Sequence, residues 1–326
     1  MKILITGSSG HLGTALSMTL GKTNHHIIGI DIKAGEFTHF VGDLADKTFV
    51  QDCMEGVGVI LHTATLHKPH IVTHSKQDFI GSNIRGTLNL LEAAVESKVK
   101  SFIFTSTTST FGDAMRPNDK TGAIWVTEDL VPIPKNIYGV TKIAAENLCQ
   151  LFYRNYQLPC LVLRTSRFFA EADDNKRLRN TYEDANIKAN ELLYRRVDIQ
   201  DVVDAHLLAV EKAAAIGFGK YIISATTPFL KKDLSLLQLD TPKVISAIYP
   251  NFSLTYAHKN WKMFPSIGRV YVNEKARKEL DWKPKFDFAW VLDCLKQGID
   301  FRSPLALKIG AKGYHTEQFE DGPYPV

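Results

Sequence analysis

Short, mostly apolar runs alternate with helical stretches through the first half of the chain. Residues 2–6 (Lys-Ile-Leu-Ile-Thr), 26–31, 57–62, 101–105 and 160–164 predict buried strands. Between them, residues 11–20 have helical spacing, and Gly21 is placed to end that helix. Phe49, Val50, Cys53 and Met54 mark a second helix. Ile84, Leu88, Leu91 and Val95 share one face of a long helix over 79–97, and 138–155 predicts another. Apolar strands separated by helices predict an α/β fold with a parallel sheet covered on both faces. Right-handed crossovers make that sheet doubly wound.

After Arg164 the rhythm breaks. Residues 170–190 are polar and charged, whereas a helical stretch at 199–213 and a strand at 220–224 read as a return to the sheet. The remainder, 225–326, mixes short helices with Pro-rich connections. The expected organisation is a Rossmann-type dinucleotide-binding domain over 1–166, to which 195–224 returns. A smaller C-terminal α/β substrate domain occupies most of 167–326. Residues 310–326 contain three Gly and two Pro and read as an extended tail.

Composition narrows the class. A chain of 326 residues, 44% hydrophobic and 23% charged, is long enough for a large core and excludes disordered and fibrous classes. The net charge of +4 is dispersed among acids, so no nucleic-acid partner is expected. No apolar run reaches the roughly 18 residues of a membrane helix, and the start lacks the apolar length of a signal peptide. The expectation is a cytoplasmic protein that binds no membrane. Cys53, Cys149, Cys160 and Cys294 lack metal-ligand spacing and read as buried thiols.

The first strand runs into Gly7-Ser8-Ser9-Gly10-His11-Leu12-Gly13, which opens a helix. A pyrophosphate site needs a tight turn, close backbone approach and helix N-terminal N–H groups. Gly7 and Gly10 suit the first two needs, and Gly13 lets the helix pack on the strand. Asp31 ends the second strand, where a carboxylate accepts hydrogen bonds from both ribose hydroxyls and repels a 2′-phosphate. The cofactor is therefore read as NAD, with Lys33 the nearby cation that would soften this exclusion.

Tyr138 and Lys142 are four residues apart on one helix face. A phenol titrates near pH 10, too high for neutral acid–base work, and a neighbouring ammonium is expected to lower it. Tyr138 then serves as the base for a secondary alcohol losing hydride. The 101–105 strand ends in a run of hydroxyl residues, Ser106 to Thr110, placed to hydrogen-bond the reacting oxygen.

Together, these motifs resemble the NAD-dependent epimerase/dehydratase family of extended short-chain dehydrogenases/reductases. The resemblance covers 1–165 and extends in outline to about 300. It implies that Asp43 and Leu44 contact adenine, that Thr63, Ala64 and Thr65 form a small-residue loop beside the cofactor, and that Asn83 supports the site. Phe111-Gly112 replaces the family's usual Tyr-Gly pair, and counting back from it makes Thr107 the catalytic Ser/Thr beside Tyr138 and Lys142. The cofactor set is thus Gly7, Gly10, His11, Leu12, Gly13, Asp31, Asp43, Leu44, Thr63, Ala64, Thr65, Asn83, Tyr138 and Lys142. The resemblance further implies a homodimer paired through helices at about 83–98 and 138–155.

Departures from the family pattern bear on the reaction. Thr108 and Ser109 stand where dehydratases carry an Asp-Glu pair, which disfavours dehydration. The interval from Arg164 to Arg195 is short for a nucleotide clamp. Arg167, Arg195 or Arg196 is a candidate for binding a substrate anion; His67 and Thr108 are candidate substrate contacts. His62, His67, His70 and His74 cluster, but Pro69 interrupts their spacing and no metal site is read there. Three readings stay open. They are an epimerase acting on a sugar or sugar nucleotide, a dehydrogenase of a smaller sugar-type substrate, and a non-catalytic dinucleotide-binding sensor.

Overall fold

The structure, a computed structural model, describes residues 1–117, 122–315 and 319. Its centre is a seven-stranded parallel sheet: β1 (Lys2–Thr6), β2 (His26–Asp31), β3 (Phe40–Val41), β4 (Val57–His62), β5 (Ser101–Thr107), β7 (Cys160–Thr165) and β8 (Phe218–Ile223). The order is β3-β2-β1-β4-β5-β7-β8, so the winding reverses between β1 and β4. A crevice opens at such a reversal, outside the carboxyl ends of the strands.

Alternation along the strands builds two cores. Ile3, Ile5, Val59, Leu61, Leu161 and Leu163 face α1 (His11–Leu20) and the helix Ile199–Ile216. Leu4, Ile60, Phe102, Phe104, Cys160 and Val162 face α2 (Lys47–Asp52) and the helices Gly86–Glu96 and Ile137–Tyr156. Both sheet faces are therefore dry, which is why each strand reads as a continuous apolar run. The four cysteines are buried thiols.

A third apolar cluster, including Phe229, Val244, Phe252, Trp261 and Val291, underlies the chain beyond the sheet. It is joined by a two-stranded parallel ribbon of β6 (Ile124–Val126) and β9 (Arg269–Tyr271), so this layer draws on both halves of the chain. Among the described residues, no helix is long and apolar enough to cross a membrane.

Three segments differ from expectation. β3 is a two-residue edge strand with both side chains exposed, so burial leaves no pattern there. The helix expected over 79–97 is interrupted by a π-helical turn, Ile80–Arg85, that carries Asn83. The polar stretch 170–190 contains the helices Lys176–Thr181 and Asp184–Glu191. The second buries Asn186, Lys188, Asn190 and Glu191, polar residues that no hydrophobic period reveals.

Candidate active site

A cleft of about 760 Å³ opens at the carboxyl ends of β1, β4 and β5, within the usual range for small-molecule sites. At its base, Gly7 has φ +72°, and a Cβ there would lie 2.8 Å from the Ala64 nitrogen. A Cβ on Gly13 would lie 2.0 Å from the Gly7 carbonyl oxygen, so only glycine lets α1 start this close to the turn. Gly10 caps α1 without a side chain. The first-turn N–H groups have no intrahelical acceptor, and His11, Leu12 and Gly13 line the cleft there. This cradle fits a pyrophosphate, by close approach and by the positive end of the helix dipole.

Asp31, Asp43 and Leu44 continue the same wall. The Asp31 carboxylate accepts from the Ser9 N–H at 3.0 Å and the Lys33 N–H at 2.9 Å. Thr63, Ala64 and Thr65 also line the cleft. Their backbone is fixed to β1: Ala64 N–H donates to Thr6 Oγ1 at 3.1 Å, and Thr63 Oγ1 donates to the Thr6 carbonyl at 2.7 Å. Asn83 lies behind this surface rather than on it. It accepts from Leu66 N–H at 2.8 Å and donates to Thr141 Oγ1 at 3.0 Å.

Thr107, at the end of β5, and Tyr138, in the first turn of its helix, both line the cleft. Asn136 starts that helix by accepting from Gly139 N–H at 3.1 Å. Lys142 is fully buried below Tyr138, does not form part of the wall, and donates to the Thr105 carbonyl at 2.6 Å while sitting 4.0 Å from the Phe104 ring centroid. The electrostatics differ from expectation. Burial pushes the Tyr138 phenol up to about 12, and the group acting against it is the Thr107 hydroxyl, not Lys142. Burial pulls Lys142 down to about 7, against the attraction of Glu146. The ammonium is spent on a carbonyl and an aromatic face, in a dry setting that disfavours charge.

The arginines are turned inward. Arg167 pairs with Asp173, with Asp174 at 2.8 Å and with Glu191 at 3.2 Å. Arg195 meets Glu191 at 2.6 Å. Arg196 meets Glu191 at 2.7 Å and donates to the Phe169 carbonyl at 3.0 Å. Arg196 faces a separate cavity of about 50 Å³, whereas Arg167 and Arg195 line the cleft. The three guanidiniums hold the buried Glu191 carboxyl well below the usual range. Thr108 lines the cleft. So does His67, whose ring centroid is 6.1 Å from that of Tyr138 and 5.6 Å from that of Phe169. Burial, then His70 and Lys142, lowers the His67 pKa, so its ring is neutral. His62 lies outside the cleft, between Thr6 Oγ1 at 2.7 Å and Thr87 Oγ1 at 2.9 Å. Among the described residues, no three or more His, Cys, Asp or Glu side chains converge as metal ligands.

Sequence reasoning did not place Phe169 or residues 312–314 at the cleft, yet all line it. Phe169 follows β7 closely enough to be sought at a strand's carboxyl end. The tail carries no local signal, because its position depends on a contact with Glu171. Residues 316–318 and 320–326 of the expected tail lie outside the described residues.

Comparisons with known proteins agree with this geometry. The family model described as NAD dependent epimerase/dehydratase family matches residues 3–223. An uncharacterized UDP-glucose epimerase, YtcB, of Bacillus subtilis is 31% identical over 185 residues, covering 50% of this chain and 55% of that protein. The chain spans about half the length of the curated relatives it matches first, between 44% and 60%. A UDP-glucose 4-epimerase of Halalkalibacterium halodurans is 24% identical over 328 residues, covering 88% of this chain and 91% of its own. A short-chain dehydrogenase/reductase superfamily protein of Agrobacterium tumefaciens, solved with bound NAD, shares the fold with a TM-score of 0.65. It is 20% identical, covering 94% of this chain and 99% of that one.

Proposed function

This chain belongs to the NAD-dependent epimerase/dehydratase family, and on that premise we propose an epimerase-type oxidoreductase acting on a secondary alcohol of a sugar or sugar nucleotide. The observation that carries this reading is that Thr107 and Tyr138 line the same cleft as the glycine cradle of Gly7, Gly10 and Gly13. In this reading the glycine loop holds the pyrophosphate of NAD, Asp31 the adenosine ribose, and Asp43 and Leu44 the adenine. Residues 63–65 hold its central part. Thr107 orients the substrate hydroxyl, and Tyr138 takes its proton. Lys142 supports Tyr138 from the same helix face. NAD supplies a hydride acceptor and a positive charge that the side chains do not. A phenol titrating at about 12 keeps its proton at neutral pH, so Tyr138 acts as a base only when added positive charge lowers it. His67 and Thr108 lie on the cleft wall as candidate substrate contacts.

A second reading, a dehydrogenase of a smaller, non-nucleotide substrate, has its own support. Arg167 and Arg195 already pair with Asp173, Asp174 and Glu191, so they are committed before a nucleotide diphosphate arrives. A homodimer through the helices Gly86–Glu96 and Ile137–Tyr156 belongs to the same proposal, with Val140 and Leu151 exposed on the second. Cofactor content of the purified protein tests the reaction class. NAD retained near one per chain with slow exchange supports the epimerase. A site that binds and releases NAD freely, with NADH accumulating on a sugar substrate, supports the dehydrogenase. Bound NADP overturns the assignment of Asp31.

A further inference from the structure

The C-terminal segment lies across the mouth of the cleft. Lys312, Gly313 and Tyr314 form part of its wall, with Lys312 against the glycine loop. The segment is fastened at three places. Glu171 Oε1 accepts from Lys312 N–H at 2.9 Å and Gly313 N–H at 3.0 Å, and it lies 2.8 Å from His11 Nε2. Lys312 Nζ donates to the Ser9 carbonyl at 2.8 Å and to Thr14 Oγ1 at 2.5 Å. The Tyr314 ring packs against His11, His67 and Phe169, with centroids 5.5–6.0 Å apart, and His315 Nε2 meets the Pro69 carbonyl at 3.0 Å.

We propose that residues 310–315 are a cofactor clasp, in which Lys312 is a dinucleotide-binding residue directed at the pyrophosphate and Glu171 is the catch that seats it. The argument is one of placement and charge. A dinucleotide on the glycine loop puts two phosphate charges at the start of α1. The Lys312 ammonium is held on Ser9 and Thr14, on either side of that helix start. Its present partners are neutral oxygens, so a phosphate oxygen is a stronger acceptor within reach of the same side chain. The catch is separate from the ligand contact. Glu171 binds the tail through backbone N–H groups and binds α1 through His11, so it fixes the segment whatever side chain stands at 312. The clasp crosses from the glycine loop to the His67–Pro69 loop, and a cofactor seated in the cleft leaves only when it lifts. The inference rests on NAD binding and not on the epimerase reading, so it stands whichever reaction the cleft performs.

The test uses the full chain and two point variants, with NADH release followed by fluorescence in stopped-flow displacement. Lys312→Ala is expected to weaken NADH and ADP about three- to tenfold and to leave adenosine, which has no phosphate, within twofold. Glu171→Gln is expected to speed NADH release about tenfold. It should also expose the Lys312 peptide bond to trypsin, a cut that NAD suppresses in the parent protein. Equal losses for ADP and adenosine, or no change for either, overturn the role of Lys312. Unchanged release from Glu171→Gln, or tryptic cleavage at Lys312 that NAD does not slow, overturns the clasp. Lys312 is exposed on the tail, so Lys312→Ala retains the fold and keeps the proposal testable if Glu171→Gln does not fold.

Discussion

The amide nitrogen of Asn83 donates to Thr141 Oγ1 at 3.0 Å, tying the π-helical turn Ile80–Arg85 to the helix that carries Tyr138 and Lys142. The same side chain holds Leu66 through both its N–H and its carbonyl, at 2.8 and 3.1 Å. One buried amide therefore sets the spacing between the 63–66 loop and the Tyr138 helix. Asn83→Ala strands several buried partners, each costing about 1–3 kcal/mol. The expected outcome is a lower urea midpoint together with a turnover loss larger than the loss of NAD affinity. A variant that loses stability alone would show that the amide does not position the site.

Tyr138→Phe removes the proposed proton acceptor and retains the ring that packs on Leu66 and Phe79. Turnover should fall about 100-fold or more, with NAD affinity changed less than about threefold. Activity surviving this change would sink the assigned mechanism.

The Asp31 carboxylate is held in the cleft by Ser9 N–H and Lys33 N–H. Asp31→Ser removes its negative charge while leaving Lys33 and Lys312 near the same wall. The ratio of NADP to NAD affinity should rise at least about tenfold, a change of ~1.4 kcal/mol. Titration of both cofactors by protein fluorescence measures it, and an unchanged ratio would remove Asp31 as the discriminating group.

Lys142 titrates at about 7 in the folded chain, against 10.5 ordinarily, chiefly because of burial. Between those values the unfolded chain binds the proton and the folded chain does not, so this group makes stability rise with pH across that window. Below it the full penalty of burying the charge remains. Lys142→Met should therefore be more stable than the parent near pH 6, by about 1 kcal/mol or more, with the gap closing toward about pH 10. Urea unfolding at several pH values reads this directly. A gap independent of pH would place the Lys142 pKa near its ordinary value.

The sheet was legible because its strands are buried on both faces and so appear as apolar runs. The glycine loop was legible because close backbone approach excludes other side chains, as the 2.0 Å clash at Gly13 illustrates. Tyr138 and Lys142 were legible as a pair because helical geometry puts residues four apart together. What that pair does electrically was not legible. The direction of the Lys142 side chain is decided by the Thr105 carbonyl and the Phe104 ring, which belong to a strand distant in sequence. The arginines show the same limit. Arg167 and Arg196 read as anion ligands until Asp184–Glu191 folds as a helix and brings the buried Glu191 carboxylate to them. The tail reads as an extended segment with no destination, and its contacts with Glu171, Ser9, Thr14 and Pro69 give it one. Local pattern determined the elements and the residue types at the cradle, because those depend on neighbours in the chain. Tertiary structure decided the charge partners and the wall of the cleft, because Glu171 reaches Lys312 across 141 residues and Glu191 reaches Arg167 only once its own polar helix is buried.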